Sequence, residues 1–181
     1  MLSQFTKEPG SEKRTLADFA FPKEVYPVGR LDYDSEGLLL LSDDGRLNGH
    51  LLDPKNAHQR TYYVQVERIP EEEALEKLRR GVLLDGRKTL PARARLLDVD
   101  PALPEREVPI RYRKTIPTAW LELILSEGKN RQARRMTASV GYPTLRLVRF
   151  AIGDLKISEL GLLPGEWKLL SPDELALCFK R

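Results

Sequence analysis

The 181-residue chain carries a single cysteine, Cys178. One thiol can close neither an internal disulfide nor a Cys-rich metal site, and a lone Cys suits a reducing compartment. Long apolar runs are missing as well: no stretch approaches the roughly 18 residues of a membrane-crossing helix. The opening residues Met1-Leu2-Ser3-Gln4-Phe5-Thr6 are too polar for a secretory signal. A cytoplasmic protein without membrane contact is therefore expected. The chain also lacks an excess of one charge, since 30 Lys and Arg face 27 Asp and Glu for a net +3. With so small a total, even at a pI near 9.0, only the distribution of charge can argue for a nucleic-acid partner. There is no internal repeat and no regular βαβ alternation, which disfavours a doubly wound sheet.

What is present suffices for one domain with a sizeable core, at 41% hydrophobic residues. Residues 1–20, polar and holding Pro9-Gly10, are expected as a loosely ordered tail. Residues 38–41, four leucines between turn signals, predict a buried strand. Ser42-Asp43-Asp44 predicts the cap of a short helix running to His50 or Leu51. Residues 60–67 are β-branched and aromatic and alternate, as a strand does. Pro70 and three glutamates, then Arg79-Arg80 and Gly81, match helix dipole and C-cap rules. Residues 82–99, with Asp85-Gly86, suggest short strands, and residues 100–117 an exposed loop. Strands are expected at 118–125 and 144–152, with a helix over 130–140 capped by Asn130. A last strand is expected at 166–170 and a short helix at 172–179. The fold class is then α+β, with a mainly antiparallel mixed sheet.

The densest chemistry lies in Gly29-Arg30-Leu31-Asp32-Tyr33-Asp34-Ser35-Glu36-Gly37. Three acids so close must repel, bind a cation or divide their roles. The spacing roughly fits a calcium loop, but apolar Leu40 and the short Asp43 stand at ligand positions. A glycosidase-type pair would put Asp32 and Asp34 on one side of an extended chain. A third possibility is one nucleophilic Asp, with Asp34 and Glu36 serving the loop. A fourth is a capping and turn-forming loop without chemistry.

The third possibility needs a cation, and a basic stretch offers one. Between residues 126 and 150 lie six bases, Lys129, Arg131, Arg134, Arg135, Arg146 and Arg149, against one acid, Glu127. Helical spacing puts Ala133, Met136, Thr137 and Val140 on one face and Arg131, Arg134, Arg135 and Ala138 on the other. Such a segment is either a solvated basic face or a seat for RNA phosphates, aided by the N–H groups of a helix start.

The two stretches together resemble the pseudouridine synthases of the RsuA/RluB/E/F branch, and within it the RluE type. Gly29-Arg30-Leu31-Asp32-x-x-Ser35-Glu36-Gly37 is similar to that family's catalytic motif, and Arg60-x-Tyr62 to its Lys-x-Tyr strand. Glu127-Gly128-Lys129-Asn130-Arg131-Gln132-x-Arg134-Arg135-Met136 and Leu145-Arg146-Leu147-x-Arg149 resemble its later motifs. The resemblance implies a catalytic domain over residues 21–181, with a central mixed sheet, flanking helices and an active-site cleft. It implies isomerisation of uridine to pseudouridine in 23S ribosomal RNA by a monomer needing no metal or cofactor. Asp32 would be the nucleophile, and Tyr62 would stack on a flipped uracil. Arg134 would pair with Asp32, Leu147 would line the base pocket and Arg30 would fill the gap the base leaves. Lys129, Arg131 and Gln132 would bind substrate beside them. A non-catalytic ribosomal-RNA-binding or assembly protein on the same fold is the alternative. Two departures stand out. Arg60 replaces the family's Lys, which keeps charge but not geometry. No N-terminal S4-type module is expected either, so Arg111, Arg113 and Lys114 would help capture the substrate.

Overall fold

Three long strands carry the architecture of the computed structural model, which describes residues 1–180. In chain order the strands are β1 (Tyr26–Pro27), β2 (Glu36–Gly37), β3 (Leu41–Ser42), β4 (Arg60–Glu67), β5 (Leu83–Leu84), β6 (Arg87–Lys88), β7 (Arg93–Leu96), β8 (Thr118–Leu125), β9 (Thr144–Ile152) and β10 (Leu155–Lys156). The helices are α1 (Gly45–Leu52), α2 (Glu72–Arg80), α3 (Gln132–Ser139) and α4 (Pro172–Leu177). Among the described residues the central sheet runs β10-β9-β4-β8-β7, and β2 also pairs with β9. All pairs in it are antiparallel except β2 with β9. The fold is thus α+β with a mainly antiparallel mixed sheet.

Period-two patterning explains the sheet's inner face. Val64 and Val66 of β4 and Leu121, Leu123 and Leu125 of β8 point the same way and are buried. They pack with Leu75 and Leu78 of α2 and Ala133 and Met136 of α3 in one core. Each fully buried aliphatic side chain there contributes about 1.5–3 kcal/mol. A second core joins Val28, Leu38, Leu40 and Leu51 to Ile152, Leu155 and Cys178. Helix α2 starts on acids, ends on Lys77, Arg79 and Arg80, and stops at Gly81, as its sequence predicts. Asp44 caps α1 by accepting from the Arg46 N–H at 2.9 Å.

Three expectations need correction. Residues 38–41 do not form one strand. The chain leaves β2 on β9 and crosses to β3 on β1, so the leucines bridge two sheets, with Leu38 and Leu40 buried. Helix α3 begins at Gln132, and its N-cap is Arg131 in the left-handed region, φ 48°, rather than Asn130. Residues 166–170 form no strand. Residues 1–20 bond to one another and reach the rest of the chain at Leu31. Leu2 N–H donates to the Arg14 carbonyl at 2.8 Å and Leu16 N–H to that of Gln4 at 2.9 Å, while Leu16 and Thr15 are fully buried. Ser3 Oγ donates to the Leu31 carbonyl and accepts from the Leu31 N–H, both at 3.1 Å. This segment therefore braces the acidic stretch itself.

Candidate active site

A cleft of about 620 Å³ opens where the acidic stretch, the ends of α1 and β8, the 127–133 turn, the start of β4 and the middle of β9 converge. Asp32, Arg30, Tyr62, Lys129, Arg131, Gln132 and Leu147 all line it. Arg134 stands behind, with Nε 4.0 Å from Asp32 Oδ2. The cleft thus brings together residues more than a hundred positions apart in the chain, Arg30 and Leu147 among them. Three of them owe their position to the sheet. Tyr62 and Leu147 come from the adjacent strands β4 and β9, where Tyr62 lies opposite Arg149. The Asp32 loop is tethered through Gly37, which lies against the β9 backbone.

The three acids divide four arginines among them. Asp34 takes the tightest bonds: Arg131 donates to it bidentately at 2.8 and 3.0 Å. Arg134 Nη2 lies 3.3 Å from the same carboxylate and donates to the Asp34 carbonyl at 2.9 Å. The Arg131 hydrogen bond, the largest influence on Asp34, holds its carboxyl below the usual carboxylate range. Glu36 is held bidentately by Arg146 at 3.1 and 2.7 Å and by Arg106 at 2.9 Å. Asp32 keeps looser company, with Ser35 Oγ at 3.4 Å, Arg131 at 3.8 Å and Arg134 at 4.0 Å. Its side chain is 24% exposed. Its oxygens therefore stay available while two cations stand near. Burial depresses the Arg134 pKa, and among the described residues its Nε has no hydrogen-bond partner.

The basic stretch is less free than its composition suggests. Lys129 pairs with Glu127 at 3.0 Å, Arg135 with Asp85 at 2.5 Å and Arg146 with Glu36. Gln132 is 4% exposed. Its Nε2 donates to Glu127 at 2.6 Å and its Oε1 accepts the Lys129 N–H at 3.0 Å. That N–H closes the turn internally. Arg30 is exposed at the mouth, whereas Arg60 is buried and donates to the Leu51 carbonyl at 2.7 Å. The motifs do not tell which Arg meets which acid. Ser3 and Arg149 also line the cleft. Ser3 gave no sequence signal at all, whereas Arg149 ended a motif and was given no role.

An Asp beside two guanidiniums, a tyrosine and a leucine share one cleft, with room for a planar ring beside the carboxylate. Comparison with known proteins gives that site a family. The family model described as RNA pseudouridylate synthase matches residues 3–139. The chain belongs to this family of RNA-modifying isomerases. It is 56% identical over 160 residues to the ribosomal large subunit pseudouridine synthase E of Xanthomonas axonopodis pv. citri, covering 88% of this chain and 84% of that protein. It is 38% identical over 165 residues to the ribosomal large subunit pseudouridine synthase B of Bacillus subtilis, covering 90% of this chain and 62% of that one. A crystal structure of a pseudouridylate synthase superposes with a TM-score of 0.72 at 30% identity, over 97% of this chain and 64% of that one.

Proposed function

We propose that this enzyme converts uridine to pseudouridine in the RNA of the large ribosomal subunit, the 23S rRNA, working in the cytoplasm as a monomer. Asp32 is the nucleophile, Tyr62 the stacking platform and Leu147 a wall of the base pocket. Arg134 positions Asp32, and Arg30 fills the space the base vacates. The observation that carries this reading is the contrast between neighbouring acids. Asp34 and Glu36 are clamped by arginines, while Asp32 faces the cleft with only contacts of 3.4 Å or longer. A carboxylate that must attack cannot also spend its oxygens on tight hydrogen bonds.

A base within folded RNA must be flipped out, at a cost of a few kcal/mol. Stacking on Tyr62 offsets roughly 1–3 kcal/mol of it. The base then detaches, turns and rejoins the sugar through C5. The product is an isomer of the substrate, so neither a redox step nor a second substrate enters the balance. Lys129 and Arg131 border the cleft where the RNA backbone passes, with Gln132 bracing the turn that carries them. Arg111, Arg113 and Lys114 lie in an exposed loop and add charge for phosphate contacts.

The test is incubation with unmodified large-subunit ribosomal RNA, followed by mapping of pseudouridine, with Asp32→Asn in parallel. Wild type should modify a defined uridine, and Asp32→Asn should bind RNA and melt normally without turnover. Product from the Asn variant would dismiss Asp32 as nucleophile. No product from wild type on any ribosomal RNA would dismiss the activity.

A further inference from the structure

Among the described residues, two buried cations of the cleft, Arg60 and Arg149, have no acid within salt-bridge reach, and Arg149 also keeps an unpaired donor. Arg149 is 3% exposed, yet it lines the cleft. Its Nε donates to the Leu38 carbonyl at 2.7 Å. Its Nη2 is buried and, among the described residues, has no hydrogen-bond partner. Burial is the largest influence on its charge; the Tyr62 phenol, which hydrogen-bonds to it, and the Arg60 guanidinium follow, and no carboxylate is among them. The other buried arginine here, Arg60, at least spends its Nη2 on the Leu51 carbonyl. Arg131, Arg134 and Arg146 all face carboxylates.

Burying a cation without a counter-ion is costly, and an unpaired donor adds to the cost. Hydrophobic packing could fill the same volume without either penalty. A donor left over at the wall of a cleft calls for a ligand acceptor that arrives with substrate. Arg149 lies opposite Tyr62 in the β4–β9 register, the side chain on which the ring is proposed to stack. The acceptor is therefore sought on the ring rather than on the RNA backbone.

The reaction supplies such an acceptor. When the C1′–N1 bond breaks, its electron pair leaves with the uracil, and the negative charge spreads over N1, O2 and O4. Asp32 meanwhile holds C1′ as an ester. After the ring turns, C5 gives a pair to C1′, and the C1′–Asp32 bond breaks and returns its pair to the carboxylate. C5 later loses its proton, and N1 gains one. Atoms and electrons balance without an oxidant or reductant. We propose that Arg149 Nη2 donates to a carbonyl oxygen of the flipped uracil and stabilises the charge the ring carries while it is detached. This rests on the function proposed above and makes Arg149 a catalytic residue of that same site. The bond strengthens as charge develops, which is what lowers a barrier rather than merely binding substrate.

The test couples a protein change to a single atom of the substrate. Arg149→Met keeps length and removes charge, and Arg149→Lys keeps charge and removes the fork. Each is assayed in single turnover on an RNA bearing uridine, 2-thiouridine or 4-thiouridine at the mapped target. Sulfur accepts hydrogen bonds poorly. Arg149→Met should slow turnover by about 10²-fold with RNA affinity nearly unchanged, on the scale of losing one oxyanion donor. In wild type one of the two thio substrates should be slowed about tenfold, as for loss of a charged hydrogen bond. In Arg149→Met that thio substrate should bring no further loss, and Arg149→Lys should fall between. A merely structural Arg149 would give losses that multiply. Multiplying losses, or Arg149→Met at the wild-type rate, overturn this proposal while leaving the activity standing. If Arg149→Met does not melt cooperatively, the Arg149→Lys cycle decides by the same criterion. Failure of wild type to form product on any ribosomal RNA overturns both proposals together.

Discussion

Gly37 is the point at which the candidate active-site loop touches the sheet, and replacing it with Ala tests how the two are joined. A Cβ at this position would lie 2.3 Å from the Arg149 carbonyl oxygen, 2.7 Å from its nitrogen and 2.9 Å from its carbonyl carbon. The obstacle is backbone of the central strand β9, so no rotamer change relieves it. The residue also sits at φ +103°, which costs a side-chain-bearing residue about 1–2 kcal/mol. Relief requires β2 to part from β9. That strains the bond from Leu38 N–H to the Arg149 carbonyl at 2.9 Å and the one from Arg149 Nε to the Leu38 carbonyl at 2.7 Å, each contributing about 1 kcal/mol. The expected loss is about 3–4 kcal/mol, a large part of the ~5–15 kcal/mol that holds a domain folded. At this chain length it should lower Tm by roughly 6–16 °C. Gly49→Ala in α1 is the control: nothing lies within 4 Å of the added Cβ, and a helix-interior alanine should gain about 0.5–1 kcal/mol. Urea titration and calorimetry read both. A Gly37→Ala protein within about 1 kcal/mol of wild type, on the usual scale for surface changes, would refute the reasoning.

Further outcomes follow from the ion pairs and the buried thiol. The Asp34 carboxyl titrates below its ordinary value because of Arg131. Its contribution is therefore present above about pH 4 and is lost as pH falls through the lower folded value. The stability gap between wild type and Asp34→Asn should be open at pH 7 and should close in acid; an unchanged gap at pH 3 would contradict this. Glu36 anchors Arg106 and Arg146, and Arg146 also donates to the Pro104 carbonyl at 2.7 Å. Glu36→Gln should loosen the 100–117 loop and speed tryptic cleavage at Arg106, Arg111, Arg113 and Lys114, whereas equal rates would detach the loop from Glu36. Burial pushes the Cys178 thiol up to about 11. An aromatic disulfide reagent at pH 8 should leave the native protein untouched and react fully in denaturant, and rapid native reaction would place Cys178 at the surface.

What sequence determines here is whatever depends on neighbours in the chain. The alternation of residues 60–67, 118–125 and 144–152 predicts β4, β8 and β9, and the acids, bases and Gly81 around α2 predict that helix, because patterning and capping act over one or two turns. The motifs likewise name residues that the fold gathers around one cleft, Asp32, Tyr62 and Leu147 lining it and Arg134 behind. Tertiary structure decides the rest. Residues 38–41 are apolar enough for a strand, but their partners on either side belong to two different sheets. Arg131 caps α3 with left-handed backbone while its guanidinium clamps Asp34, and that carboxylate is 97 residues away in the chain. The division of four arginines among three acids, the bracing of the loop by Ser3 and the lone charge of Arg149 all rest on such distant pairings. Charge acts through space, so composition can announce a basic segment, but only the fold assigns each cation its anion or leaves one without.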